Sequence, residues 1–389
     1  MATPASASAK GPSWPRRHRR LLFGAAAALL VALALAGVLS WHYSSVLLVP
    51  DHSGWPARVT VEEVGADTVV LSRSDDTLRP GVYGLDWQAG HARIGAVLRT
   101  DSETVTRRLS KLRGYLAAGQ KVAIDHEVHS GDPRQALGLP HSKVKVRGEL
   151  GPMPAWLVPA PGRVGRRGDT WAIVVHGING NPQAGLRVTP TLRQVGLQTL
   201  LITYRNDLGA PPSPDGLHHM GLTEWRDLEA AARFAISRGA RHLVLAGYSM
   251  GGSLVAQFMR RSALADRVSG LLLDAPALDW KRILTFNATE TGFPGFAALP
   301  LRWAVGLRID ADWESLDVLE DPHFLRIPIL LFHGTEDSIV PISISEDLAA
   351  ELPDHVTYYH APKAGHTEAW NVDPRLYERR LASFLASID

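Results

Sequence analysis

Gly247-Tyr248-Ser249-Met250-Gly251 spells G-x-S-x-G. A serine hydroxyl is a weak nucleophile at neutral pH and needs a base beside it. Small flanking residues let the chain turn sharply and hold the Oγ clear of the backbone. A five-residue pattern of this kind arises by chance, so its context carries the weight. The apolar run His242–Ala246 precedes it, and Gly252 and a helical stretch from Ser253 follow. That is the strand–turn–helix setting of a nucleophile elbow; the plain alternative is an ordinary βα turn.

The base must be chosen among 16 histidines. His366, in Ala364-Gly365-His366-Thr367, follows the apolar strand Val356–Tyr359, which puts it beyond the strand ends. His360 sits in the end of that strand and reads as structural. His218 and His219 are adjacent, a poor spacing for a shared metal, and His323, His333 and His355 read as surface or packing residues. An imidazole base needs an orienting carboxylate. Asp337, in Gly334-Thr335-Glu336-Asp337-Ser338, follows the strand Pro328–Phe332 and is favoured over Glu336. An oxyanion needs two preorganised donors. The N–H groups of Ile178, in His176-Gly177-Ile178-Asn179-Gly180, and of Met250 are expected to supply them.

The elements that position these residues are readable from Ala155 onward. Short apolar runs (Ala155–Val158, Trp171–Val175, Thr199–Thr203, His242–Ala246, Gly270–Leu273, Pro328–Phe332, Val356–Tyr359) alternate with helical stretches such as Thr223–Ser237, Ser253–Ser262 and Ile344–Glu351. Continuous apolar strands separated by helices imply an α/β fold with a mostly parallel sheet covered on both faces. Sites in such sheets form beyond the C-terminal strand ends.

Before that region lies a segment of different character. Residues 44–150 read as a small β-rich extension, with strands near Val59–Val61, Thr68–Leu71, Gly95–Leu98 and Lys121–Val128, and a short helix over Thr104–Ala118. Residues 1–20 carry Lys10, Arg16, Arg17, Arg19 and Arg20 and no acidic group. Leu21–Leu39 is an unbroken apolar run, with Trp41 and Tyr43 after it. That pattern reads as a membrane anchor over residues 21–41, with the basic segment cytoplasmic and the rest extracytoplasmic. The alternative is secretion after cleavage near Ala34-Leu35-Ala36.

Net charge is +2 and is concentrated before residue 21, which gives no electrostatic reason for nucleic-acid binding. Cysteine is absent, which excludes disulfides, thiolate metal sites and a cysteine nucleophile.

The stretch from about Ala155 to Asp389 resembles the α/β-hydrolase superfamily, near its serine-aminopeptidase-like (S33-like) and lysophospholipase-like esterases. The resemblance rests on His176-Gly177, Gly247-Tyr248-Ser249-Met250-Gly251-Gly252, Gly334…Asp337…Val340-Pro341 and Gly365-His366. It implies a hydrolase domain over residues 151–389 with a helical lid over about 277–321, where Trp280, Phe286, Phe293, Phe296, Trp303 and Trp313 would form an apolar underside or pack the lid onto the core. Asn206 or Asp207 is a candidate to line the entrance, with a plain loop role as the equal alternative. The expected activity is ester hydrolysis through Ser249, His366 and Asp337 on a small ester or acyl substrate, with no metal or cofactor. Competing readings are a peptidase or amidase with the same triad, and a non-catalytic hydrolase-like binding protein. No oligomeric state follows from the sequence.

Overall fold

The computed structural model describes residues 16–162 and 169–388. Lys10, the one lysine or arginine before Arg16, lies outside this range. Helix α1 (Arg16–Leu48) holds a stretch, Arg20–Leu48, with mean hydropathy 2.5 that is long and apolar enough to cross a membrane. A signal sequence has the same composition. The helix outruns the span expected over 21–41 and ends at Leu48, which is fully buried against the body.

A closed barrel follows, built from β1 (Val59–Val64), β2 (Thr68–Ser72), β3 (Tyr83–Trp87), β4 (Gly90–Thr100), β5 (Thr104–Arg113) and β6 (Lys121–Asp125), with a helical turn α2 (Asp75–Leu78) after β2. Its spatial order is β1-β2-β5-β4-β3-β6, all antiparallel. The barrel has its own core of Val61, Leu71, Leu85, Ile94 and Val122. The helix expected over Thr104–Ala118 is β5 instead. Val105, Arg107 and Leu109 are buried while Arg108 and Ser110 between and beyond them face solvent, a period of two that closes the barrel wall. Arg107 disguises the pattern: its guanidinium is buried and donates to the carbonyls of Thr77, Gly81 and Gly95.

After α3 (Pro133–Leu137), an eight-stranded sheet is formed by β7 (Ser142–Arg147), β8 (Pro152–Val158), β9 (Thr170–Val175), β10 (Gln198–Ile202), β11 (His242–Tyr248), β12 (Val268–Asp274), β13 (Ile329–Gly334) and β14 (Val356–Ala361). The order is β14-β13-β12-β11-β9-β10-β8-β7, and only β8 runs against the rest. β7, which precedes residue 151, is an edge strand of this sheet. Alternate residues serve the two faces. Leu243 and Leu245 of β11 enter one core, and Val244 and Ala246 enter the other. Helices α4 (Thr189–Gln194), α5 (Trp225–Ser237), α6 (Met250–Arg261), α9 (Ser343–Glu351), α10 (Ala369–Val372) and α11 (Pro374–Ser387) flank the sheet and its loops. Between β12 and β13 lie the lid helices α7 (Trp280–Glu290) and α8 (Ala298–Ile309). The chain leaves β9 toward β10 on one side and reaches β11 on the other. That reversal opens a crevice beyond the C-terminal ends of β9 and β11.

Candidate active site

Ser249 occupies the turn between β11 and α6 with φ 52° and ψ −120°, a backbone conformation that costs energy for any residue with a Cβ. The turn survives because neighbours leave it no alternative. A Cβ on Gly251 would lie 2.4 Å from the Val175 carbonyl oxygen, so only glycine lets α6 start this close to β9. The Ser249 N–H donates to the Asp274 carbonyl, and the Ser249 carbonyl accepts from Gly252 and Ala277. The side chain is left to face the crevice.

His366 and Asp337 come together across two loops: His366 Nδ1 lies 2.7 Å from Asp337 Oδ2. The carboxylate is buried and fully engaged. Its Oδ1 accepts from the N–H groups of Ile339 and Val340, at 2.8 and 2.9 Å. Burial pushes the carboxyl up, but the adjacent His366 and His333 outweigh it and hold Asp337 well below the usual carboxylate range. Glu336 is exposed.

His333 is not the surface or plain packing residue expected. It is fully buried, with Nε2 3.1 Å from the same Asp337 Oδ2 and 3.0 Å from the Val340 carbonyl. Both groups are acceptors, so Nε2 carries the proton, and Nδ1 takes the Ser345 hydroxyl at 2.7 Å. Its only sequence signal is a position four residues before Asp337.

Met250 follows Ser249 in the chain, and Ile178 follows Gly177, which lies against the Ser249 side chain. Met250 is the first residue of α6, so its N–H has no intrahelical acceptor. Gly177 approaches closely enough that a Cβ there would sit 3.0 Å from the Ser249 Cβ. The Gly177 carbonyl accepts from the Tyr204 hydroxyl at 2.7 Å and meets His176 Nδ1 at 2.9 Å. In a trans peptide the C=O and the following N–H point opposite ways. Fixing the Gly177 oxygen therefore fixes the direction of the Ile178 N–H.

Asp207 completes this support. Its Oδ2 lies 2.9 Å from His176 Nε2 and accepts the Tyr204 N–H at 2.7 Å. Burial lowers the His176 pKa, but Asp207 reverses it and the net direction is upward, as expected for a paired imidazolium. Asp207 and Asn206 are thus buried and do not line the entrance as expected. Asn206 instead ties Ser213 and Leu217 into the loop. No group of His, Cys, Asp and Glu arranged to hold a metal occurs among the described residues.

Ser249, His366 and Ile178 line one cleft of about 1290 Å³. Its opposite wall is the barrel and the segment after α1, including Trp55, Asp125, His126 and Glu127. Burial, together with Glu127 and Asp86, raises Asp125 well above the usual carboxylate range. The barrel also grips the His366 loop. Arg79 pairs with Glu368, the Tyr83 hydroxyl donates to Glu368 Oε2 at 3.2 Å, and that oxygen accepts the Gly365 N–H at 3.1 Å. The Val82 N–H donates to the Asn371 carbonyl at 2.9 Å. Sequence reasoning missed Glu368 because its partners lie nearly 300 residues away.

Trp280 and Trp313 pack the lid onto the core, one of its two expected roles. Trp280 is buried under the lid, but Phe293, Phe296 and Trp303 point outward rather than into the cleft. Asn287, which heads an Asn-Ala-Thr sequon, donates to the Ile339 carbonyl at 2.7 Å and so ties α7 to the Asp337 loop.

Residues 214–388 match the family model of the prolyl oligopeptidase family, a range that holds Ser249, Asp337 and His366. Residues 60–125 match a domain of unknown function, DUF8805. An uncharacterized protein of Mycobacterium tuberculosis is 25% identical over 213 residues, which is 55% of this chain and 68% of that protein. The structure of an esterase from Pyrococcus furiosus superposes with a TM-score of 0.52 at 17% identity, covering 67% of this chain and 96% of the esterase.

Proposed function

We propose that this chain, whose fold is that of the α/β-hydrolases, is a serine hydrolase that cleaves carboxylic esters through an acyl-enzyme. The observation that carries the reading is the His366 Nδ1–Asp337 Oδ2 contact of 2.7 Å, with His366 lining the same cleft as the strained Ser249. His366 Nε2 takes the Ser249 proton as Oγ attacks the ester carbonyl. The oxyanion is held by the N–H groups of Ile178 and Met250. His366 then gives its proton to the leaving alcohol, and water repeats the sequence on the acyl-enzyme. The chemistry draws on no metal or organic cofactor.

Labelling with a fluorophosphonate tests this. The folded protein takes up one probe, and Ser249→Ala takes up none. A folded wild type that stays unlabelled overturns the reading in favour of a non-catalytic binding protein. Labelling that persists in Ser249→Ala moves the nucleophile to another serine.

Amide hydrolysis by the same residues is the second reading. It is favoured by the prolyl oligopeptidase match. Esters of graded chain length assayed beside an aminoacyl amide separate the two. Helix α1 supports a membrane anchor with residues 1–20 cytoplasmic and the catalytic region outside; release of the intact chain by alkaline extraction would exclude it.

A further inference from the structure

The lid presents an apolar face to the outside of the molecule. Leu299, Trp303 (69% exposed) and Leu307 recur at intervals of four along α8, with exposed Phe293 and Phe296 (72% exposed) just before the helix. That spacing puts them on one side of the helix. The opposite side, with Ala304 and Val305, is buried. Exposed singly, such residues need no explanation, but a contiguous aromatic stripe marks a contact surface.

The neighbour of α8 identifies the partner. The end of α1 packs along it through a face of small residues, with Ser40 and Ser44 buried. Arg308 of α8 donates to Ser44 Oγ at 2.8 Å and Ser45 Oγ at 2.7 Å, and its guanidinium lies 4.9 Å from the centre of the Trp41 ring. These contacts fix the level of the lid relative to the anchor. Leu21–Ser40 spans roughly 30 Å as a helix, the thickness of a hydrocarbon core. Trp41 and Tyr43 then lie where aromatic residues meet headgroups. Helix α8 is clamped at that level, beside lipid, with its aromatic side outward.

We propose that the exposed face of α8 is a second membrane-contact surface, seated in the headgroup layer next to α1 and holding the lid on the bilayer. The proposal rests on α1 spanning the membrane and is independent of the ester reading. It places the cleft close to the membrane, since Asp51, three residues beyond α1, donates its backbone N–H to Asn179 at the cleft wall.

The chain has no cysteine, so single-cysteine variants can be spin-labelled without background. Full-length Phe296→Cys, Leu299→Cys and Trp303→Cys are reconstituted in nanodiscs of phosphatidylcholine and phosphatidylglycerol, with Leu30→Cys as an anchor reference and Tyr115→Cys, exposed on the barrel side, as a water reference. Thermal melts establish that each is folded. Collision with oxygen and with a water-soluble nickel chelate is then measured by power saturation. The expected result is loss of nickel access at the lid positions to near the Leu30→Cys level, with oxygen access retained. Nickel access equal to that of Tyr115→Cys overturns the proposal while leaving the anchor intact. Shielding from both reagents assigns the face to a second copy of the chain, which also overturns it. Nickel access at Leu30→Cys removes the anchor and the proposal together.

Discussion

The hydroxyl of Tyr204 donates to the Gly177 carbonyl at 2.7 Å, and that carbonyl belongs to the same peptide unit as the Ile178 N–H. A side chain on one strand end thus sets the direction of a backbone donor on another. Burial and the nearby Asp207 carboxylate push the Tyr204 phenol well up, so it remains a donor throughout the working range. Tyr204→Phe keeps the stacking against His176, whose ring centre is 4.6 Å away. Losing one neutral hydrogen bond of about 1 kcal/mol lowers kcat about 5- to 10-fold with KM little changed. Steady-state ester kinetics check this; an unchanged kcat removes Tyr204 from oxyanion positioning.

His333 is expected to be a positioning residue for Asp337. His333→Leu deletes a buried donor to a charged group, a contact worth about 1.5–3 kcal/mol, so kcat falls about 10- to 100-fold. His333→Gln, which keeps an N–H donor, recovers part of that. The pH profile gives a readout that mere packing would not move. With one donor lost, the Asp337 carboxyl rises toward its ordinary range, and in His333→Leu activity falls away at a higher pH on the acid side than in wild type.

The barrel is expected to act on catalysis through Glu368. Glu368→Ala removes the acceptor for Arg79, Tyr83 and the Gly365 N–H, two of which come from the barrel. The loop carrying His366 then loosens, and kcat drops by about 10-fold or more while KM changes little. Glu368→Gln keeps the acceptor oxygen and retains most activity. Parallel loss of KM and kcat in both variants would point to general unfolding of the barrel contact instead.

Asp274 lies directly beneath the elbow, and burial raises its carboxyl to about 6. The folded chain therefore holds this proton more tightly than the unfolded chain does. The resulting stability is complete below the ordinary carboxyl range near pH 4 and is lost as pH rises through about 6. Asp274→Asn carries no charge to bury. It should melt higher than wild type at pH 8, by up to about 3 kcal/mol, and match it near pH 4. Thermal melts at both values decide; equal melting at pH 8 means that the carboxylate is stabilised by a partner.

How much was legible in advance differs from residue to residue. The strands that carry Ser249 and Asp337 were visible as continuous apolar runs, because a strand covered on both faces has no polar side to interrupt it, whereas β14, before His366, is an edge strand with no fully buried residue. The loops after those runs named their chemical residues by type and order. Strand β5 was misread because buried Arg107 breaks the expected apolar alternation, and the carbonyls that satisfy it come from distant turns.

The sequence alone determined the alternation of strands and helices from Ala155 onward, the loops in which Ser249, Asp337 and His366 stand, and the apolar N-terminal helix, since each depends on local pattern and spacing. Only the tertiary structure decided that His333 serves Asp337, that Tyr204 and Asp207 brace the Ile178 peptide, that the barrel grips the His366 loop, and that the lid aromatics face outward beside α1. Those are contacts between segments far apart in the chain. A side chain's partner there depends on where two elements cross, and no local periodicity records that.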